Sequence, residues 1–398
     1  MFFTMRIGID IRYLSHGLVG GVQYYVKQLI PALWAAGEAH SFVLYADRKA
    51  PLELAEWPAH VDVRYLGYRN GLSSVANDLL LLRRAMAADR LDVAHFPANY
   101  GFAPPGVAAV ITLHDEINIM PLPAIIRGHA KQPRTMAMMT YLHLVSRTAL
   151  GRAAGVLTVS EYARQQILRY AARRLTPERI VATYHAPAPD SKRISDPAIH
   201  AALRERHAIT RPYLLADGLK NPAVLVRAWR LLPAELRENY MLVFFARRQP
   251  WPAVDEAVKA GFARLLLRPP RDELLTLFSG AEAFLFPSWI EGFGVPLLEA
   301  MSCGAPVIAS DRGSIPEVAG GAALLAAAED ETTFAQHITS VLRDAATAER
   351  LRTLGYARAA QFSWPQTAQQ TLAAYARFEE QKNRGTGEQK NRGTERSH

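Results

Sequence analysis

A single cysteine, Cys303, stands in a chain of 398 residues. An internal disulfide is therefore excluded, and nothing in the cysteine usage points to an oxidising compartment. Also missing is any run approaching the roughly 18 consecutive apolar residues of a spanning helix. The start of the chain, with Arg6, Asp10 and Arg12 so early, holds no signal-peptide core. Together these absences predict a cytoplasmic protein whose membrane contact is at most peripheral. The loop after the first apolar run lacks a Gly-x-Gly-x-x-Gly fingerprint, which argues against a nicotinamide dehydrogenase. Acidic residues are in deficit: 37 Asp and Glu face 46 Lys and Arg, for a net charge of +9. That balance favours acidic partners, among which nucleotide phosphates, anionic lipid and nucleic acid are not separated by charge alone.

What is present is organised around Phe286-Pro-Ser-Trp-Ile-Glu-Gly-Phe-Gly-Val-Pro-Leu-Leu-Glu-Ala-Met-Ser-Cys-Gly304. Ala283 to Phe286 reads as a short buried strand stopped by Pro287, and Gly292 and Gly294 let backbone approach a ligand closely. Pro296 suits the first turn of a helix and Gly304 the position just past its end, leaving first-turn N–H groups to face an anion such as a diphosphate. Glu291 lies before the turn and Glu299 about one turn into the helix. Two such carboxylates can accept hydrogen bonds from the hydroxyls of a sugar ring and of a ribose.

At a length prior of roughly 100–200 residues per domain, 398 residues, 49% of them hydrophobic, predict two domains. Met5 to Ile11 reads as a strand, Gly17 to Gly21 as a turn, and Val22, Val26, Leu29 and Leu33 as one face of a helix that Pro31 should kink. Amides at Gly20 and Gly21 could reach a phosphate, although a plain tight turn explains the pair equally well. Apolar runs at 42–45, 61–65, 92–96 and 107–113 alternate with helical segments, which implies a parallel sheet. Ligands on such sheets bind beyond the carboxyl ends of strands, where Leu113 is followed by His114. From Arg127 to Arg174 nine Lys and Arg face one acid, Glu161, among apolar runs. This is a basic amphipathic region, suited to solvent around a core-facing helix or to an anionic membrane surface. Ser160 is a candidate N-cap.

The Glu291 to Glu299 stretch, with Ala305-Pro-Val-Ile-Ala-Ser310 and Gly313-Ser-Ile-Pro-Glu-Val318 after it, resembles the Glu, seven residues, Glu motif of the retaining family 4 glycosyltransferases. Thr112-Leu-His-Asp115 resembles the family's Thr-x-His-Asp segment. The resemblance implies an α/β protein of the GT-B fold, two facing Rossmann-like domains with a cleft between them. The expected boundaries are an acceptor-side domain over 1–190, a linker over 191–212, a nucleotide-sugar domain over 213–363, a helix over 364–380 returning to the first domain, and a disordered polar repeat over 381–398. It also implies roles. His114 and Glu291 act at the sugar, His114 by donating to hydroxyls or steadying developing charge. Phe293, Gly294, Val295 and Lys220 meet the donor sugar and diphosphate, Glu299 holds the ribose, and Gly20 and Gly21 lie beside phosphate and acceptor.

The match is imperfect near Lys220. The loop Asp217-Gly-Leu-Lys-Asn221 is short and no Arg precedes the Lys, while Arg247 and Arg248 replace the glycine turn usual after the next strand. Arg247 could restore the absent guanidinium or be a surface residue. The implied reaction is transfer of a hexose, mannose or rhamnose favoured, from a nucleotide diphosphate sugar to a glycan or lipid-linked acceptor in cell-surface polysaccharide assembly. No separate cofactor is expected, nor a nucleic-acid partner. Because no Asp-x-Asp pair occurs, cations and amides are expected in place of a divalent ion. Alternatives from other classes are a weakly catalytic scaffold, motivated by the altered Lys220 loop, and an epimerase or phosphorylase on the same fold.

Overall fold

The computed structural model describes residues 4–394 except 16–19, 53, 55, 71–74 and 128–131; of residues 127 and 385–394 it describes the backbone alone. Parts of the expected 17–21 turn and of the basic stretch 127–174 thus lie outside the described residues. By its internal contacts the chain divides into two compact units, residues 1–185 with 364–398, and residues 186–363.

In the first unit the apolar runs become parallel strands: β1 Arg6–Asp10, β2 Ser41–Asp47, β3 Val61–Leu66, β4 Val93–Phe96, β5 Ala108–Leu113, β6 Gly155–Thr158 and β7 Ile180–Ala182. They form one sheet in the order β3-β2-β1-β4-β5-β6-β7. Strands β4, β5 and β6 are buried at every position, as in a parallel sheet covered on both faces. The order reverses between β1 and β4, so loops leaving the carboxyl ends of these strands diverge and leave room for a ligand. Helix Gly21–Ala36 follows β1, buries Tyr25, Val26, Leu29, Ile30 and Leu33, and continues through Pro31. Ser160 caps helix Glu161–Ala171, its hydroxyl accepting from Ala163 N at 3.0 Å.

The final helix, Trp364–Thr394, belongs to this unit and packs along Gly21–Ala36 and against β5 and β6. Its approach explains Gly155, where a Cβ would fall 2.2 Å from Phe378 Cδ2. The helix also carries the backbone of the polar repeat, expected as a disordered tail from residue 381, as far as Thr394; residues 395–398 of that expectation lie outside the described residues. The repeat is rich in Glu, Gln, Lys and Arg, all good helix formers, and it continues a helix already nucleated by packing, so propagation is easy. An exposed Glu380–Arg384 pair lies at this continuation.

The second unit contains β8 Tyr213–Asp217, β9 Met241–Ala246, β10 Ala263–Leu267, β11 Ala283–Phe286, β12 Val307–Ser310 and β13 Ala323–Ala326. All are parallel, in the order β10-β9-β8-β11-β12-β13. This repeats the pattern of the first sheet and puts the reversal between β8 and β11. Phe278, Phe284 and Phe286 are fully buried, with rings 5.1 Å and 5.6 Å apart in successive pairs. Each such side chain contributes roughly 1.5–3 kcal/mol by leaving water, so this aromatic row anchors the strand that ends at the Glu291 turn.

Residues 191–212 are not a linker but part of the second unit, which begins at Ala186. They form helix Pro197–Arg206, capped by Asp196, and bury Leu203 and Ile209. Ile194 N donates to Ser279 Oγ at 3.0 Å. Their proline and charge content suggested a tether, but the apolar residues spaced between the charges find a core.

Candidate active site

The residues singled out from the sequence fall seven in the second unit and three in the first, most of them near the two reversal points. On the second sheet, the turn after β8 brings Lys220 to the turn after β11, and Lys220 Nζ lies 2.6 Å from Glu291 Oε1. The short loop is braced on several sides. Asp217 Oδ1 accepts from Leu219 N at 2.8 Å, Trp251 Nε1 donates to Leu219 O at 3.3 Å, and Asn221 Nδ2 donates to Pro287 O at 3.0 Å and Ala328 O at 2.7 Å. Asn221 takes a left-handed conformation, φ 50°, which asparagine tolerates better than most residues. Burial raises the Asp217 carboxyl above its ordinary pKa, opposed by the charges of Lys220 and Arg247. Arg247 therefore sits within electrostatic reach of this loop, exposed at the end of β9.

Glu291 is held on its other side by Ser288, whose Oγ donates to Oε1 at 2.8 Å, and its backbone carbonyl accepts from Ser314 Oγ at 3.0 Å. That second contact requires Gly313. With φ 62° and a notional Cβ only 2.7 Å from Glu291 O, no side chain fits there. Gly294, φ 93°, caps helix Val295–Ser302, which has Pro296 in its first turn. The amides at this helix start have no partner within the helix itself and can receive an anion. The Phe293 side chain takes no part, being buried with its ring edge-on to Phe362 at 5.8 Å.

Glu299 is buried within the same helix, 6% exposed, and meets an arginine that the sequence reading did not assign. Arg271 Nη1 lies 2.7 Å from Glu299 Oε1, while Nη2 reaches Asp190 Oδ1 at 2.9 Å and Ser191 Oγ at 2.8 Å. Burial pushes the Glu299 pKa up, and Arg271 opposes that shift. Burial also works against the arginine's charge, but Asp190 and Glu299 more than offset it and hold its pKa above the ordinary value. The clue available in the sequence was position alone: Arg271 follows the proline pair at 269–270, in the segment that resembles the family's nucleotide-base region.

On the first sheet, Gly20 and Gly21 open helix Gly21–Ala36. A Cβ at either would meet nothing within 4 Å, and Gly20, at φ 170°, is simply extended. Among the described residues, neither neighbours nor backbone demand glycine here. His114 follows β5. Its Nε2 lies 2.9 Å from Pro97 O, and its ring is edge-on to Tyr25 at 5.0 Å. A ring nitrogen facing a carbonyl must carry the proton, and burial lowers the pKa to about 4, so the imidazole is neutral at pH 7. In this neutral tautomer the ring has no N–H left to donate to a hydroxyl, one of the two roles expected of His114. Its N–H is engaged by backbone, and Nδ1 is left to accept.

Behind His114 stands a buried network that sequence reading missed. Tyr375 OH lies 2.6 Å from His95 Nδ1, His95 Nε2 2.7 Å from Thr112 Oγ1, and Thr112 Oγ1 3.3 Å from Tyr25 OH. Burial lowers His95 to about 3 and holds His185, stacked on Tyr25 at 4.8 Å, well below its ordinary value. At the end of β1, buried Arg12 forms a two-pronged pair with Asp10 and meets Asp78 at 2.8 Å; Tyr100 OH also donates to Asp78 at 2.9 Å. These partners are far apart in sequence, and no local spacing announces them. Among the described residues, no group of three or more His, Cys, Asp or Glu is arranged to hold a metal ion.

Two parallel sheets that share one strand order, the first with an added edge strand, and carry candidate site residues near each reversal define an α/β protein of the GT-B type. Solved structures agree on the fold. Sucrose-phosphate synthase from Thermosynechococcus elongatus superposes with a TM-score of 0.69 at 20% identity, covering 94% of this chain and 98% of that one. WaaG, a glycosyltransferase involved in lipopolysaccharide biosynthesis, gives 0.68 at 16% identity, over 92% and 98%. Glycosyltransferase Family 4 matches residues 19–184, and Glycosyl transferases group 1 matches residues 216–358. O-antigen chain mannosyltransferase B of Escherichia coli is 36% identical over 276 residues, 67% of this chain and 70% of the relative. The chain belongs to the family 4 glycosyltransferases.

Proposed function

We propose that this glycosyltransferase moves a hexose, mannose in the first instance, from a nucleotide diphosphate sugar to a hydroxyl of a growing glycan, free or lipid-linked, with retention at the anomeric carbon and without a metal ion. The observation that carries the reading is the Lys220–Glu291 pair at the β8/β11 reversal, beside a helix start headed by Gly294. An ammonium and a set of amides at one turn suit a diphosphate, and a carboxylate next to them suits sugar hydroxyls. The similarity to an O-antigen chain mannosyltransferase supports mannose and a cell-surface polysaccharide as product. The lone buried cysteine fits the cytoplasm, where such donors are made into glycans.

Chemically, bond cleavage at the anomeric carbon leaves negative charge on the departing diphosphate. Lys220, released from Glu291 as the donor enters, meets that charge together with the amides of Phe293, Gly294 and Val295, and Arg247 adds a more distant cation. Glu291 then holds the sugar, and Glu299, kept ionised by Arg271, accepts from the ribose hydroxyls. In the first unit, Gly20 and Gly21 keep backbone open to phosphate and acceptor, and His114 Nδ1 accepts from a sugar hydroxyl.

Thermal melts against guanosine, uridine and deoxythymidine diphosphates and their sugars test the donor site. A ligand at a hundred times its Kd raises stability by about 2.7 kcal/mol. The expected result is a raised midpoint for at least one compound without added metal, abolished in Lys220→Ala. A flat response at millimolar ligand rejects the enzyme reading in favour of a scaffold. Proton NMR of the first product formed from the active donor then decides between retention and inversion.

A further inference from the structure

Eight large apolar side chains of the second unit are exposed, and four of them, Trp251, Leu267, Trp289 and Ile290, stand at or just beyond the carboxyl ends of β9, β10 and β11. Both exposed tryptophans of the unit are among them. Single exposed apolar groups need no explanation, but their concentration at the edge that holds Lys220 and Glu291 does.

The two indoles differ in what they do. Trp251 is 58% exposed, yet its Nε1 donates to Leu219 O at 3.3 Å, so it braces the Lys220 loop. Trp289 is 54% exposed, and none of the described residues accepts from its Nε1. Its backbone, by contrast, is fixed. Pro287 O accepts from Asn221 Nδ2 at 3.0 Å, Ser288 O from Ser310 Oγ at 2.6 Å, and Glu291 O from Ser314 Oγ at 3.0 Å. Three carbonyls around one residue are tied down while its side chain is left in water. A tryptophan has only two side-chain torsions, so on a turn this rigid its ring has little freedom left to lose on binding.

The occupant follows from what an indole offers and where this one stands. Its face suits the C–H face of a pyranose, and its N–H suits a hydroxyl of the same ring. Trp289 lies two residues before Glu291, the carboxylate assigned to the donor sugar. The helix amides and Glu299, assigned to diphosphate and ribose, follow the glycine turn on the other side of Glu291 along the chain, which argues against a nucleobase on Trp289. Two side chains also fall far short of the roughly 800 Å² per partner of a stable protein interface, which argues against a second copy. Transfer to a glycan brings a second sugar ring beside the one at Glu291, and Trp289 is placed to meet it.

We propose that Trp289, flanked by Ile290, is the stacking platform for a pyranose ring of the acceptor glycan, with Nε1 donating to one of that ring's hydroxyls. The proposal rests on the transfer reading and gives the acceptor a contact in the second unit, where the sequence expectation had placed only the donor.

Saturation-transfer NMR tests it without requiring turnover. The full chain is mixed with α-linked manno-, rhamno- and gluco-trisaccharides, with guanosine, uridine and deoxythymidine diphosphate present in turn. At least one trisaccharide is expected to receive saturation from the parent, and about tenfold less from Trp289→Ala at the parental melting midpoint. Trp289→Phe, which keeps a ring face, should retain most of the transfer, whereas Trp289→Leu, apolar but without one, should behave as the alanine variant. With the bound trisaccharide as acceptor, Trp289→Ala should raise the acceptor KM about tenfold while donor-induced stabilisation is retained. No saturation of any trisaccharide by the parent, parental binding in Trp289→Ala, or parental binding in Trp289→Leu overturns the proposal. Loss of donor-induced stabilisation in Trp289→Ala overturns it as well, since that result puts the indole on the donor. Donor-induced melting of the parent, which needs no acceptor, reports separately on the transfer reading.

Discussion

The first sheet's carboxyl edge is lined with neutral imidazoles and aromatic rings, His95, His114, His185, Tyr25 and Trp364, while the second's is lined with ion pairs, Lys220–Glu291 and Arg271–Glu299. Strand order is the same in both. The difference lies in what burial does to each kind of group. An isolated imidazole gives up its proton when desolvated and then packs like an aromatic, whereas a buried carboxylate keeps its charge by keeping a cation. The first edge is therefore preset in one charge state, and the second is held by contacts that a charged ligand can exchange.

Acid should break the comparison most strongly. His114 and His95 have folded pKa values lowered to about 4 and about 3, against an ordinary value near 6.5. Unfolding then takes up protons at any pH below about 6.5, so stability is full above that pH and falls as pH drops toward the folded values. Each histidine costs about 1.4 kcal/mol per pH unit, or about 2 kcal/mol at pH 5, and His185 adds to this. Against a total stability of about 5–15 kcal/mol, the first unit should open first. Hydrogen exchange at pH 7 and pH 5, corrected for intrinsic rates, is expected to show protection lost in β4, β5 and β6 before β8 and β11. Equal loss in both units would mean that the imidazoles do not set acid stability.

Substitutions in the second unit sharpen the contrast. Glu291→Gln should lower turnover by about a hundredfold, the order found for removing one preorganised electrostatic contact, with nucleotide affinity little changed. Steady-state kinetics and calorimetry on the same preparation separate the two. Glu299→Ala should weaken nucleotide binding tenfold or more, because a hydrogen bond to a charged group contributes about 1.5–3 kcal/mol. Arg271→Ala should mimic it with a pH dependence. Without the arginine, Glu299's already raised pKa climbs further, and affinity measured by calorimetry should fall as pH is lowered, at a higher pH than in the parent. The smallest effect is expected from Arg247→Ala, about threefold in nucleotide affinity, as suits an exposed cation. A tenfold or larger loss there would make Arg247 a direct phosphate ligand.

Much of this was legible in the sequence because it is local. Apolar runs gave the strand positions, and the Glu291 to Glu299 string gave a strand, a glycine turn and a helix where they stand. Among the strands not read from the sequence, β7 has three residues, and β13, Ala-Leu-Leu-Ala, carries little of the β-branched character by which strands are read. The linker was misread because charged and proline-rich composition masks two buried apolar residues, Leu203 and Ile209.

Local periodicity and motif chemistry, set by residues within a few positions of one another, determined the family, the parallel architecture and the identity of Glu291, Glu299, Lys220 and His114 as candidates. Tertiary structure alone decided their states. That Lys220 is paired with Glu291, that Arg271 links Glu299 to Asp190, and that His114 is a neutral acceptor tied to Pro97 are consequences of contacts across 17 to 81 positions. Such contacts arise when parallel strands bring distant loops to one edge, and burial there then shifts each group's proton equilibrium. No stretch of sequence holds both partners, so no reading of it could supply the pairing.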